Sequence, residues 1–252
     1  MPTPRRFKPS LMADIKEHIT RYIKNNGGPY YAAFDADGTL WDSDIGEQFF
    51  QYQIDNCNLM PLREVNPWEH YEMLKEKDPR EAYVWLAQIN NGQLLQEVQG
   101  WAMQSVKQQV PKFFYSQLEL IKWLREQEVV PIIVTASVKW AVEPAAKMIG
   151  IDENCVLGIQ TTITTDERVT DIQDGHITWR DGKLKALMER TEDVRPILCA
   201  GNTIGDISMI QSSQCIKLAI QTQNEPNGLY EEEQPLFEMA KENGWFTHNF
   251  WA

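Results

Sequence analysis

Positive charge is scarce in this chain of 252 residues, where 24 lysines and arginines stand against 36 acids for a formal net charge of −12. A field of that sign repels nucleic acid and anionic membrane surfaces, and an anionic substrate must be met by local positive charge. Cysteine is sparse too. Cys57, Cys155, Cys199 and Cys215 never fall in C-x-x-C spacing, which argues against a zinc site and supplies no disulfide framework. Cys199 and Cys215 sit in apolar runs and read as small buried hydrophobes. No apolar run is long enough to span a bilayer. The start, Met1-Pro2-Thr3-Pro4-Arg5-Arg6, leads into a mixed-charge helical pattern and not into the apolar centre of a signal peptide, so the expected compartment is the cytoplasm. Internal repeats and low-complexity segments are missing. The 42% of apolar residues suffices for a buried core, as one large α/β unit or as a core with a smaller inserted domain, in a monomer or a homodimer.

What the chain does have is concentrated in Tyr30-Tyr31-Ala32-Ala33-Phe34-Asp35-Ala36-Asp37-Gly38-Thr39-Leu40-Trp41. Side chains at i and i+2 of an extended segment share a face, so Asp35 and Asp37 converge on one small volume at the exit of an apolar run. Two crowded anions repel unless a cation or a proton lies between them. Magnesium with oxygen ligands answers that need, phosphate is its usual companion, and a carboxylate is a competent nucleophile toward it. The plainer reading is an Asp-Gly turn that ends a strand. The remainder of the chain decides between the two.

The residue pattern predicts a helix from Ser10 to about Asn25, with Ser10 as its cap and Leu11, Ile15, Ile19 and Ile23 on one face, stopped by Gly27-Gly28-Pro29. A strand then runs to Phe34. From Trp41 to about Lys112 the pattern is helical and rich in large aromatics, among them Phe49, Phe50, Trp68, Tyr71 and Trp85, and it reads as a helical insertion. A helix over about 112–127 precedes the β-branched run Val129 to Val134, which suits a strand buried on both faces. A helical segment ending at Gly150, a hairpin over 159–180, a helix over 183–190, and strands over 196–200 and around 215–220 follow. Glu231-Glu232-Glu233 reads as a solvated helix start. Alternation of strands and helices implies an α/β fold with a doubly wound parallel sheet. Its core is expected over 1–40 and 112–252, with the helical insertion over 41–111.

Ligands of such sheets gather beyond the carboxyl ends of the strands. Those ends carry Asp35-x-Asp37-Gly38-Thr39, then Val134-Thr135-Ala136-Ser137, then Gly201-Asn202-Thr203-Ile204-Gly205-Asp206, with Asp181-Gly182-Lys183 ahead of the last. Singly, Thr135 reads as a helix cap, Lys183 as a solvated helix residue and Asp206 as a first-turn carboxylate. Together and in this order, these residues resemble the four motifs of the haloacid dehalogenase superfamily. The helical insertion after the first motif looks like the cap of its phosphoserine-phosphatase-like branch.

That resemblance implies a magnesium-dependent hydrolase of a small-molecule phosphomonoester. It assigns Asp35 as nucleophile through an aspartyl-phosphate, ionised at neutral pH, and Asp37 as acid and then base. Thr135 would donate to a phosphate oxygen, and Lys183 would offset the negative charge of nucleophile and phosphate. Gly38, Thr39, Trp41, Ala136 and Ser137 are the implied substrate contacts, and Asp35, Asp37, Asn202 and Asp206 the implied magnesium ligands. The chain departs from the family pattern at Asn202, where an acid is usual. A neutral amide there is expected to hold the ion less tightly, with Asp206 as the alternative direct ligand, and Asn202→Asp is expected to tighten it. Asp37 favours a phosphoester over a carbon–halogen bond, because a leaving halide needs no proton. Aromatics and acids of the insertion (Asp42, Asp44, Glu47, Glu69, Glu72 and Glu81) suggest a cationic head group, as in a phosphocholine-like or phospho-amino-acid substrate. A phosphotransferase or phosphomutase with the same intermediate, and a non-catalytic phosphometabolite-binding protein, are the alternatives.

Overall fold

The computed structural model describes residues 6–222 and 228–250. Along the chain it contains α1 (Pro9–Asn25), β1 (Tyr30–Phe34), α2 (Ile45–Asn56), α3 (Pro67–Lys77), α4 (Pro79–Gln88), α5 (Leu95–Gln108), α6 (Tyr115–Glu126), β2 (Val129–Val138), α7 (Lys139–Met148), β3 (Val156–Ile163), β4 (Val169–Asp174), α8 (Asp181–Arg190), β5 (Leu198–Gly201), α9 (Ile207–Ser212), β6 (Ile216–Gln221), α10 (Gly228–Glu242) and β7 (Phe246–Asn249), with short 3₁₀ turns at Met60–Leu62, Glu153–Cys155 and Ile204–Asp206. Two compact units emerge. The first comprises Met1–Ser43, Lys112–Val134 and Arg180–Ala252, and the second Asp44–Pro111 and Thr135–Trp179. The second unit thus gathers 135–179 with the helical insertion, a wider span than the 41–111 expected from sequence.

In the first unit β2, β1, β5, β6 and β7 lie side by side in that order, all parallel. The chain leaves β1 for β2 on one side and later returns to β5 on the other, so β1 stands where the strand order reverses. Its Ala32, Ala33 and Phe34 are fully buried, as a central strand covered on both faces requires. Register sets Phe34 opposite Ile133 of β2 and Ala200 of β5. Asp35 remains tied to the ladder, its N–H donating to the Ala200 carbonyl at 2.9 Å. Helix α1 begins at Pro9 and not under a Ser10 cap: Lys8 stands at the cap position without a side-chain bond, and the fixed φ of proline starts the first turn. Buried Ile15 and Ile19 form its inner face.

The second unit holds α2 to α5, α7 and the antiparallel pair β3–β4, whose register shifts between Thr161 and Ile163. Phe50 meets the rings of Trp68, Tyr71 and Trp85 at centroid distances of 4.9, 5.7 and 5.6 Å. Among the described residues no helix is long and apolar enough to cross a membrane.

Strand β7, which the sequence reading did not anticipate, pairs with β6 and carries His248 between Phe7 and Phe250, at ring distances of 4.9 and 4.6 Å. Burial, with the nearby Lys8 charge adding to it, pushes the imidazole down from 6.5 to about 4. The neutral ring is therefore favoured in the folded state, and its contribution is complete above pH 6.5 and lost as pH falls toward 4. In denaturant titrations over that window His248→Phe should lose less stability than the wild type, the gap reaching about 3 kcal/mol at its acid end.

Candidate active site

The first unit brings Asp35, Asp37, Gly38, Thr39, Trp41, Lys183, Asn202 and Asp206 together beyond the carboxyl ends of β1 and β5. Lys183 lies in the first turn of α8, only 4% exposed, and its ammonium donates to Asp35 Oδ1 at 2.6 Å and to Asp206 Oδ1 at 2.5 Å. Asp206 is fully buried, and its second oxygen accepts from the backbone N–H groups of Asn202 and Thr203 at 3.1 and 3.0 Å. One carboxylate therefore shapes the loop after β5 and also holds the lysine. Gly201 makes room for it, since a Cβ there would stand 2.5 Å from that of Asp206.

The turn after β1 is closed by the Gly38 N–H on the Trp41 carbonyl at 2.9 Å and the Leu40 N–H on the Ala36 carbonyl at 2.8 Å. Gly38 has φ of +74°, and a Cβ at this position would fall 2.1 Å from Asn202 Nδ2. Only glycine permits both the left-handed turn and the approach of the amide. The Thr39 hydroxyl donates toward Asp35 Oδ2 at 3.3 Å and Asn202 Oδ1 at 3.4 Å, while its carbonyl accepts from Gln117 at 3.1 Å. Trp41 has no exposed surface. Its indole N–H donates to Asp37 Oδ1 at 2.7 Å and its ring meets Phe113 edge-on, so the structure shows it holding Asp37 and not offering a face to a ligand.

Thr135, Ala136 and Ser137 fall in the second unit. Thr135 is buried, its hydroxyl accepting from the Ser137 N–H at 3.1 Å and its carbonyl from the Thr178 hydroxyl at 2.5 Å. Of the residues read as a cation subsite, Glu81 pairs with Lys77 at 2.7 Å, and Glu69 and Glu72 are exposed. Tyr71 is 2% exposed, and Lys75 already stands over its ring at 5.4 Å with Glu47 at 3.7 Å.

Glu233 departs most from expectation. Glu231 and Glu232 are exposed, but Glu233 is fully buried. Its Oε1 accepts from Asn202 Nδ2 at 3.1 Å and from the Thr222 hydroxyl at 2.6 Å, and its Oε2 accepts from the Thr222 N–H at 2.8 Å. The signal was present in the sequence: Glu233, Leu236, Phe237 and Ala240 follow the i, i+3, i+4, i+7 spacing of a helix's inner face, and all are buried.

Two buried carboxyl groups, those of Asp35 and Asp206, thus share the buried Lys183 ammonium, and the buried Glu233 stands behind Asn202. Burial, then the Asp206 carboxylate, push Asp35 up to about 7 against the pull of Lys183. Burial and Asp206 thus work against the ionised Asp35 that the sequence leads one to expect, and the Lys183 ammonium works for it. Burial also works against the Lys183 charge, but Asp206 and Asp35 outweigh it and hold the ammonium above the ordinary lysine range. No trio of His, Cys, Asp or Glu side chains among the described residues could hold a metal ion alone. The donors at hand are one carboxylate oxygen of Asp35, the amide oxygen of Asn202 and main-chain carbonyls, all hard oxygens. That set fits a divalent cation of the magnesium type.

A parallel sheet with strand-end carboxylates around a buried lysine gives an α/β core with a candidate catalytic cluster. The family model described as haloacid dehalogenase-like hydrolase matches residues 32–211, and the chain belongs to that family. A search of curated proteins found no match. Among solved structures, a protein of unknown function from Anaerococcus prevotii DSM 20548 aligns with TM-score 0.72 and 15% identity over 96% of this chain and 92% of its own. One from Bordetella pertussis Tohama I gives 0.71 and 14% over 88% and 98%. A phosphoserine phosphohydrolase-like protein from Francisella tularensis subsp. tularensis SCHU S4 gives 0.51 and 13% over 87% and 95%. At such identities the likeness is one of fold.

Removing the ammonium while keeping the side-chain length should expose the charge imbalance. Lys183→Met is expected to lower unfolding free energy by about 3–5 kcal/mol, measured by denaturant titration, because two buried carboxyl groups lose their shared partner.

Proposed function

We propose that this chain is a magnesium-dependent phosphatase of a small phosphomonoester that works through an aspartyl-phosphate on Asp35. The observation that carries the reading is the buried Asp35–Lys183–Asp206 bridge, with a second carboxyl group at Asp37 held by Trp41. An Asp35 oxygen attacks phosphorus, the bond to the leaving oxygen breaks, and Asp37 gives that oxygen its proton. Asp37 then takes a proton from water, which attacks the acyl phosphate, releases inorganic phosphate and restores the Asp35 carboxylate. Lys183 holds the nucleophile in place and offsets the charge gathered at the phosphoryl group. In the first unit, Gly38 and Thr39 supply the polar backbone of the turn that follows Asp35.

Asp35, the Asp37 carbonyl and Asn202 are the proposed magnesium ligands. Asp206 supports them from behind, since both its oxygens are engaged by Lys183 and by the backbone. When bound, the ion would supply electrostatic stabilisation of the phosphoryl oxygens and return Asp35 to its ionised form. The packed rings of the second unit do not favour a choline-like head group. A phospho-amino acid is the better candidate substrate, in keeping with the fold shared with a phosphoserine phosphohydrolase-like protein.

Hydrolysis of p-nitrophenyl phosphate should require Mg²⁺ and stop with EDTA, and Asp35→Asn should abolish it. An active Asp35→Asn enzyme would overturn the reading. Asp37→Asn is expected to reduce kcat by about 10²–10⁴-fold toward substrates with poor leaving groups. Added alcohol acceptors should not raise total turnover above that with water; if they do, the enzyme is a phosphotransferase.

A further inference from the structure

We infer that Glu233 is a positioning residue that sets the amide of Asn202 with its oxygen toward Asp35, and thereby lets a neutral side chain serve where an acid is usual. The inference rests on the phosphatase reading above. An Asn amide carries an acceptor at one end and a donor at the other, and which end faces the cation is decided by what the opposite end meets. Here Asn202 meets a carboxyl group whose own orientation is settled independently. The Thr222 N–H is a backbone donor that cannot reverse, and with the Thr222 hydroxyl it makes both Glu233 oxygens acceptors. The amide nitrogen of Asn202 must therefore point at Glu233, 3.1 Å away, and its oxygen at the Thr39 hydroxyl beside Asp35.

The same geometry states what Glu233→Gln would do. The glutamine would place its carbonyl oxygen on the Thr222 N–H, so its NH₂ would face Asn202. The Asn202 amide would then reverse and present two N–H donors to the cation position. The negative charge also matters, because Glu233 polarises the amide through its N–H and enriches the oxygen at the other end. Glu233 likewise changes the expectation for Asn202→Asp alone. That substitution would set two buried carboxylates against each other across the present 3.1 Å contact, so it should destabilise the fold and not simply tighten the site. Paired with Glu233→Gln it becomes favourable, since the glutamine NH₂ can donate to the new carboxylate.

The test compares the wild-type full chain with Glu233→Gln, Asn202→Asp and the double variant. Mg²⁺ binding to metal-stripped protein is read by calorimetry, and the Mg²⁺ dependence of p-nitrophenyl phosphate turnover alongside. Glu233→Gln should bind Mg²⁺ at least about tenfold more weakly, the usual scale for removing a partner of a metal ligand. The Mg²⁺ concentration at half-maximal turnover should rise in step. Asn202→Asp should melt below the wild type, and the double variant should bind Mg²⁺ as tightly as the wild type or more so. A merely structural role for Glu233 predicts no such rescue. If Glu233→Gln does not fold by circular dichroism, the double variant decides alone: Mg²⁺ binding at wild-type strength supports the inference, and its loss overturns it. Wild-type affinity in Glu233→Gln with turnover intact in the wild type defeats this inference only. A wild type that neither binds Mg²⁺ nor hydrolyses the ester defeats the phosphatase reading, and this inference with it.

Discussion

The ammonium of Lys183 is what allows two carboxyl groups to exist in the interior of this fold. Asp35 ends the central strand and Asp206 closes the loop after β5, and each is buried where a bare carboxylate would cost several kcal/mol. By bridging both, Lys183 ties the start of α8 to β1 and to the 204–206 turn, so Asp35, the proposed nucleophile, is positioned by the same contact that makes its burial tolerable. The compensation is incomplete. Burial and Asp206 still push Asp35 above its usual range, and on the proposed reading a metal ion supplies the further positive charge.

That incompleteness reconciles the acidic character of the whole chain with an anionic substrate. With a net charge of −12 the long-range field does nothing to gather phosphate. On the proposed function, attraction arises at short range from Lys183 and from a bound metal ion, inside a cluster screened from the surface acids by burial. Asp37 belongs to a different regime: it is half-buried and held by the Trp41 indole, an arrangement that suits the acid and base role proposed for it.

Much of the fold was legible because buried parallel strands announce themselves as apolar runs. Val129 to Val134 is such a run, and β1 and β5 are found within two residues of where the sequence places them. Beyond Val134 the strand continues through Thr135-Ala136-Ser137-Val138, where small polar residues carry no strand signal of their own. β7 escaped for a related reason: four residues, three of them polar, form a strand only because β6 offers an edge. In the site, the carboxylate pair, Lys183 and the Asn202 loop stood out by their place at strand ends. What sequence hid was the use of each group. Trp41 looks like a ligand surface until its burial is seen, and a run of three glutamates masks the one that turns inward. Local composition cannot separate Glu233 from its two exposed neighbours, whereas helical spacing can.

Glu233 and Thr222 both lie after residue 211, where the family match stops. The recognised motifs are therefore not a self-sufficient module. A shortened protein ending there would retain every hallmark by which its kinship is detected, yet Asn202 would be left to rotate without a counterpart. On the positioning role inferred for Glu233, an acid at position 202 would remove the need for a glutamate on the last helix.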